Sequence, residues 1–303
     1  MTTTGQPWTI AVLGPGGVGG LLAALLSRAG HRVICLAGDD TAQALRENGI
    51  SVRSPQFGEF TTKVEADTAL REPVDVCLVA VKHTTLDAAL ERVSPEALAD
   101  GLVVPFLNGV EHPAVLRRRY RPELVVPGTI RVESTRVAPG VIEHGSTFTK
   151  IELASDTAPR SQVESVVAML AGAGTDATVV GSESAMLWSK LSLLAPFALL
   201  TTRYDVPIGE IRTTRRDELV ALLAETTALG RANGAQVQAE PMLAFLDGFA
   251  PEAKSSMQRD AEAGRALELD AIGNALLRAA DQHGIDVPLA TRLVGELAAR
   301  AGS

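Results

Sequence analysis

LGPGGVGGLLAALLSRAGHRV, residues 13–33, sets three glycines at 14, 16 and 19 at the mouth of an apolar helical pattern. The residues in front, TIAVLG (9–14), form a β-branched apolar run, and those behind, RVICLA (32–37), form another. Between them Leu21, Leu22, Leu25 and Leu26 share one face of a helix over 17–29, and Gly30 stands where a helix C-cap glycine belongs. Strand, glycine turn, helix and strand make a βαβ unit of about 30 residues. In that context each glycine has a task. Gly14 permits the tight turn, Gly16 lets the backbone approach a pyrophosphate, and Gly19 lets the helix pack closely. The first helical residues, Gly17 and Val18, add N–H groups and the positive end of the helix dipole. A glycine turn alone does no more than close a loop; between a strand and a helix it reads as a dinucleotide site.

The far edge of the same unit reads AGDD (37–40). A carboxylate about 20 residues past the motif would accept hydrogen bonds from an adenosine 2′-hydroxyl, whereas an arginine would pair with a 2′-phosphate. Asp39 and Asp40 stand near that place and no arginine does, which favours NAD(H). The same aspartates would also serve as caps for a helix over 41–48.

Outward from this unit, short apolar runs keep alternating with helical patterns, the rhythm of a parallel sheet covered by helices. VDVCLVAVK (74–82) is a continuous apolar strand, typical of a sheet centre, and LVVPFLNG (102–109) is the next strand, ending in Asn-Gly. A hairpin over 50–64, a helix over 86–93 and strands in 123–130, 141–153 and 175–181 complete this half. Strands then give way to helical periodicity over 183–201, 213–233, 239–248, 255–283 and 288–301. The expected fold is an α/β domain with a mostly parallel sheet, residues 1–181, followed by an all-α domain, residues 182–303.

A chain of 303 residues, 46% hydrophobic and 21% charged, is long enough for two such cores. Its net charge of −8 argues against a nucleic-acid partner. The cluster Arg117, Arg118, Arg119 and Arg121 is too short to reverse that and reads as a solvated helix end. Cys35 and Cys77 lie inside apolar runs, where a free thiol acts as a small hydrophobe. The histidines at 31, 83, 112, 144 and 283 have no zinc-like spacing, so no metal is expected. The start, MTTTGQPWTIAVLG, lacks a secretion pattern, and no uninterrupted apolar run reaches the ~18 residues of a membrane span. A cytoplasmic location without a membrane partner is the expectation. The apolar helices of the second half could bury against one another or against a second copy, which leaves a homodimer open.

LGPGGVGG at the start, VAVKHT at 79–84, PFLNGV at 105–110, Trp-Ser-Lys at 188–190 and SSMQRDAEAGRALELDAIGNALLRAADQHGIDVP at 255–288 carry a further signal. Together they resemble the ketopantoate reductase (2-dehydropantoate 2-reductase) family over nearly the whole chain. The resemblance implies an N-terminal Rossmann-like domain, a helical C-terminal domain, and reduction of a 2-oxo acid to a 2-hydroxy acid by NADPH in the cleft between them, the family's step in pantothenate biosynthesis. Residue by residue, Gly14, Gly16 and Gly19 match the cofactor glycines, and Lys82 matches the lysine after the central strand. Asn108 matches the asparagine that touches cofactor and substrate. Lys190 matches the catalytic lysine, Ser256 the serine that binds the substrate carboxylate, and Glu268 the glutamate near the nicotinamide ribose and the catalytic lysine.

The chemistry of that set is coherent. Reducing a 2-oxo acid needs hydride on the carbonyl carbon, a proton for the developing alkoxide and a grip on the carboxylate. A lysine ammonium can polarise the oxygen and donate the proton, and a nearby carboxylate such as Glu268 would favour its charged form, acting as an orienter more than a base. On residue type alone, Lys190 within LWSKLSLL would be a snorkelling lysine, Ser256 a helix N-cap and Glu268 a solvated carboxylate. Lys82 and Asn108 have an independent claim, because each follows a parallel strand, where open α/β sheets bind ligands.

Two departures from the family pattern shape the expectation. Its substrate-binding asparagines fall at Leu194, Ala198 and Ile208 here, and a site built for hydroxyl recognition loses about 1–3 kcal/mol for each buried group left unpaired. A substrate more apolar than ketopantoate is therefore expected. The family's arginine for the 2′-phosphate falls at Gly38, so the cofactor stays open between NADP(H), by family habit, and NAD(H), by Gly38 and Asp39. Two other readings stand beside this one: an NAD-dependent dehydrogenase of branched or aromatic 2-hydroxy acids, and a nucleotide-sensing Rossmann protein without turnover.

Overall fold

The computed structural model describes residues 6–301. The chain divides into two compact units, one running to Leu107 and including His112–Glu183, the other made of Asn108–Glu111 and the residues from Ser184 onward.

The first unit opens with β1 (Thr9–Leu13), α1 (Gly17–Arg28), β2 (Arg32–Leu36), α2 (Asp39–Asn48), β3 (Ile50–Ser54), β4 (Gly58–Thr62), β5 (Glu65–Asp67) and β6 (Val76–Val79). After these come α3 (Leu86–Leu90), α4 (Pro95–Leu98), β7 (Leu102–Pro105) and α5 (His112–Arg119). Strands β5-β2-β1-β6-β7 form a five-stranded parallel sheet. Leu13 pairs with both Leu36 and Val79, so the central strands end level and Gly14 leaves the sheet at its C-terminal edge. Alternation along the strands divides their side chains between two cores. Ile10 and Val12 join Leu21, Leu22, Leu25 and Leu26 of α1, while Ala11, Leu13, Cys77 and Val79 join Leu86 and Leu90 of α3. Burial pushes the thiols of Cys35 and Cys77 up to about 12, so both stay protonated. Helix α1 closes as the sequence indicated: Gly30 sits at φ +94°, its N–H donates to the Ser27 carbonyl, and that of His31 donates to Leu26, a Schellman end.

The remaining strands are β8 (Gly128–Arg131), β9 (Ser134–Ala138), β10 (Val141–His144), β11 (Lys150–Leu153) and β12 (Asp176–Val179), with α6 (Arg160–Gly172) before the last. They do not extend the parallel sheet. Hairpin β3–β4 joins β10 and β9 in a mixed four-stranded sheet, and β12-β11-β8 form a third. Two local expectations also change. Helix α2 begins at Asp39, so both aspartates lie in its first turn, complementing the helix dipole, and the N-cap is Gly38 with no side-chain bond. The arginine cluster is more than a solvated end, because Arg117 makes a forked pair with Glu183 at 2.7 and 2.6 Å, the two side chains only 19% and 8% exposed.

The second unit is built on α7 (Glu183–Tyr204), with α8 (Ile208–Thr214), α9 (Arg216–Ala232), α10 (Ala239–Asp247), α11 (Ser256–Glu262), α12 (Ala275–His283) and α13 (Pro288–Ala301). By length and composition α7 could cross a membrane, yet 67% of its most apolar stretch is buried. Pro196 lies inside it and has no N–H for the Ser192 carbonyl. Thr226 of α9 takes that place: its hydroxyl donates to Ser192 O at 2.9 Å, and the Ser192 hydroxyl donates back to Thr226 O at 3.0 Å. The helices approach closely there, since a Cβ on Gly230 would stand 2.5 Å from Ser192 Oγ.

The helical pattern over 255–283 is not one helix. Helix α11 ends in a Schellman turn, with Gly264 at φ +65°, its N–H on the Ala261 carbonyl and that of Arg265 on Asp260 at 2.8 Å. An irregular stretch follows, and then a π-helical turn, Asp270–Asn274, leads into α12. The span expected over 213–233 is α9, which begins at Arg216, and the short helix α8 ahead of it was not expected.

Candidate active site

In the first unit the glycine turn has three tight positions and one open one. A Cβ on Gly14, which sits at φ +84°, would stand 2.5 Å from Val81 Cγ1. On Gly19 it would stand 2.2 Å from Gly14 O, and on Gly17 2.2 Å from Ser134 O. On Gly16 the nearest atom would be 4.0 Å away, so the missing side chain leaves room above the turn. Helix α1 has no side-chain N-cap and no acidic residue in its first turn, so Gly17, Val18 and Gly19 carry N–H groups without intrahelical partners and without a competing carboxylate. This is a cradle that a Cβ would fill, and it fits a pyrophosphate. Lys82 lies exposed just beyond β6, at the head of the 3-10 turn His83–Thr85.

At the ribose edge the neighbouring arginines are engaged elsewhere. The Ala37 N–H donates to Asp67 O at 3.0 Å, which sets the end of β5 beside the end of β2. Arg71 grips the Asp67 carboxylate at 2.8 Å and, with the Thr68 N–H, holds its pKa down to about 2. Arg92 donates to the carbonyls of Ala37 and Thr68, and Arg46 donates to that of Ala66. Asp39 and Asp40 are exposed.

In the second unit Asn108 and Glu268 come together across the sequence: Asn108 Nδ2 donates to Glu268 Oε2 at 3.0 Å. Glu268 is only 5% exposed, which overturns the reading of it as a solvated carboxylate. The turn after Asn108 is pressed on the π-helical turn. Gly109 adopts φ +87°, and a Cβ there would stand 2.7 Å from Ala271 O. Arg278 completes the latch, forked onto Glu111 at 2.8 and 2.6 Å and reaching Asp270 at 2.9 Å. Glu111 and Arg278 were not visible as site residues in the sequence, because nothing local marks a pair so far apart.

Lys190 lies half-buried on α7. Ser255 is the N-cap of α11: its hydroxyl accepts from the Gln258 N–H at 3.0 Å and bonds with that of Thr201 at 2.9 Å. Ser256, read from the sequence as a cap candidate, is thereby left exposed in the first helical position. Of the three positions where the family pattern has asparagines, Ala198 and Ile208 are sealed in the helical core and Leu194 is partly exposed.

Comparisons with known proteins find relatives for most of the chain. Residues 10–155 match ketopantoate reductase PanE/ApbA and residues 184–301 match its C-terminal region. A 2-dehydropantoate 2-reductase of Caulobacter vibrioides is 28% identical over 299 residues, covering 97% of this chain and 99% of that protein. An uncharacterized oxidoreductase of Bacillus subtilis, YkpB, is 27% identical over 287 residues, covering 92% of this chain and 94% of that protein. Among solved structures, 2-dehydropantoate 2-reductase from Geobacter metallireducens superposes with a TM-score of 0.87 at 28% identity, covering 96% of this chain and 99% of that one. D-mandelate dehydrogenase, solved with NADH and anilino(oxo)acetate, superposes at 0.88 with 18% identity, covering 97% and 98%, a likeness of fold alone. The matches support a nicotinamide cofactor and a small-molecule substrate. With both halves matched in order along the chain, the protein belongs to the ketopantoate reductase family of oxidoreductases acting on CH–OH groups.

Proposed function

We propose that this protein is a nicotinamide-dependent reductase that converts a 2-oxo acid more apolar than ketopantoate into its 2-hydroxy acid. The observation that carries the reading is the buried Glu268 carboxylate held by Asn108 in the unit that bears Lys190. A carboxylate kept out of water and fixed in direction is arranged for chemistry more than for solubility. When bound, the reduced nicotinamide supplies hydride to the carbonyl carbon. Lys190 polarises the carbonyl oxygen and gives it a proton, and Glu268 favours the ammonium form and orients it. The Ser256 hydroxyl, which the Ser255 cap leaves uncommitted, takes the substrate carboxylate. Gly14, Gly16, Gly17, Val18 and Gly19 hold the pyrophosphate, with Lys82 at the same sheet edge. Asn108 also touches the cofactor and the substrate. The same residues serve the reverse oxidation of a 2-hydroxy acid.

NAD(H) is the preferred cofactor in this reading. Asp39 and Asp40 face solvent where a 2′-phosphate would need a cation, and Arg46, Arg71 and Arg92 are bound to carbonyls and to Asp67. The test is loss of 340 nm absorbance with NADH and NADPH across ketopantoate, branched and aromatic 2-oxo acids. Lys190→Ala is expected to lower kcat by about 10²–10⁴-fold, the usual worth of a positioned general acid. Unchanged turnover in that variant overturns its role. Tight binding of the dinucleotide without turnover of any oxo acid would instead favour a nucleotide sensor.

A further inference from the structure

Around Lys190 the accessible surface of α7 is confined to one stripe. Between Trp188 and Leu200 the partly exposed residues are Ser189, Lys190, Leu193, Leu194 and Phe197, while Leu191, Ser192, Ala195, Ala198 and Leu199 are buried. Lys190, Leu193, Leu194 and Phe197 fall at i, i+3, i+4 and i+7, one face of the helix. Along that face of α7 the ammonium is followed by hydrocarbon, Leu193 and Leu194, and then by a ring, Phe197. Side chains of a helix lean toward its N-terminus, so Phe197 reaches back over the turn of Leu193 and Leu194.

Phe197 does not stand alone. Phe249 meets it edge to face, with centroids 5.4 Å apart and planes at 89°, and Phe245 meets Phe249 at 5.3 Å and 73°. The segment carrying Phe245 and Phe249 is tied down by Arg212 of α8, whose guanidinium donates to the carbonyls of Leu246, Asp247 and Phe249 at 2.9, 2.5 and 3.0 Å. Arg216 pairs with Asp247 beside it. Phe245 is 50% exposed and Phe197 and Phe249 are partly exposed, so the ring series is open to solvent while the backbone that carries two of its rings is held.

Resting on the proposed reduction of a 2-oxo acid, we infer that Phe197 and Phe249 form an aryl subsite at the end of the α7 stripe, so that the preferred substrate carries an aromatic ring next to its oxo-acid group. An aliphatic side chain gains only buried area there. A planar ring gains the same area and continues the edge-to-face series, in which the positive rim of one ring meets the negative face of the next. A hydroxylated side chain finds no partner among Leu193, Leu194 and Phe197. In this arrangement Arg212 is a positioning residue, acting through the backbone that presents Phe249.

The test is the ratio of kcat/KM for phenylglyoxylate to that for 2-oxoisovalerate, measured with the wild type and with Phe197→Leu and Phe249→Leu. A ratio cancels any difference in the fraction of folded enzyme. The wild type is expected to favour the aryl substrate by about tenfold, a step of about 1.4 kcal/mol, and each leucine variant to bring the ratio close to one. A wild-type ratio at or below one, or a ratio unmoved in both variants, overturns the subsite and leaves the reductase reading standing. Absence of turnover with every 2-oxo acid overturns both.

Discussion

The Asn108–Glu268 hydrogen bond links positions 160 residues apart, and its consequence follows from charge. Asn108→Asp sets a second carboxylate where a donor stood, about 3 Å from the first, and two like charges at that range cannot both ionise easily. Activity of this variant is expected to be low at neutral pH and to recover partly as the pH falls and one of the pair takes a proton, a displacement read from the kcat/KM profile. An equal loss at every pH would mean that Asn108 acts in some other way. Asn108→Ala removes one donor from a buried carboxylate, and a loss of about 1–3 kcal/mol, roughly 5- to 150-fold in kcat/KM, is expected. The glycine turn was legible in the sequence because its requirements are local: Gly14, Gly16 and Gly19 are close neighbours in the chain. Glu268 was legible only through resemblance. Its charge and the nearby Asp270 pointed to solvent, whereas in the fold it is buried and its carboxylate is held by Asn108, a partner 160 residues away that periodicity cannot see.

At the scale of elements, α7 and α9 are joined where α7 lacks a backbone donor. Thr226→Val keeps the shape and removes the hydroxyl, so the Ser192 carbonyl, already without an N–H from Pro196, is left unpaired in the core. A loss of about 1–3 kcal/mol in unfolding free energy, read as a lower urea midpoint at unchanged slope, is expected, and Thr226→Ser should restore most of it. Pro196→Ala returns an N–H to α7, so Thr226→Val should cost less in that background, and strict additivity in the double-mutant cycle would count against the link. The proline was readable in the sequence, and its remedy was not, since it comes from another helix. The break after α11 was within reach, because Gly264 in AEAGRA is a helix stop of the same kind as Gly30. Continuous apolar spacing on both sides concealed it. The second and third sheets were hidden for a related reason: alternation identifies strands but not their partners.

For the molecule as a whole, acid should weaken the fold at the mixed four-stranded sheet. His144 is 2% exposed, bonded through Nδ1 to Ser54 Oγ at 2.8 Å and through Nε2 to Ser146 Oγ at 2.9 Å, and stacked on Phe57. Burial pushes its pKa below the ordinary value of 6.5. The unfolded chain therefore binds the proton more readily, and the stability that the neutral ring contributes is present above about pH 6.5 and lost as pH falls from there through the lower folded value. The melting temperature should drop between pH 7 and 5, and less steeply in His144→Gln; parallel curves would remove His144 from the account. The division of the chain carries one more consequence, for recombination. Asn108–Glu111 belongs with the helical unit although it is encoded in the first half. A chimera that exchanges everything after Glu183 between relatives inherits a foreign latch for its glutamate and for Arg278, and a working graft has to carry four residues from upstream of the crossover.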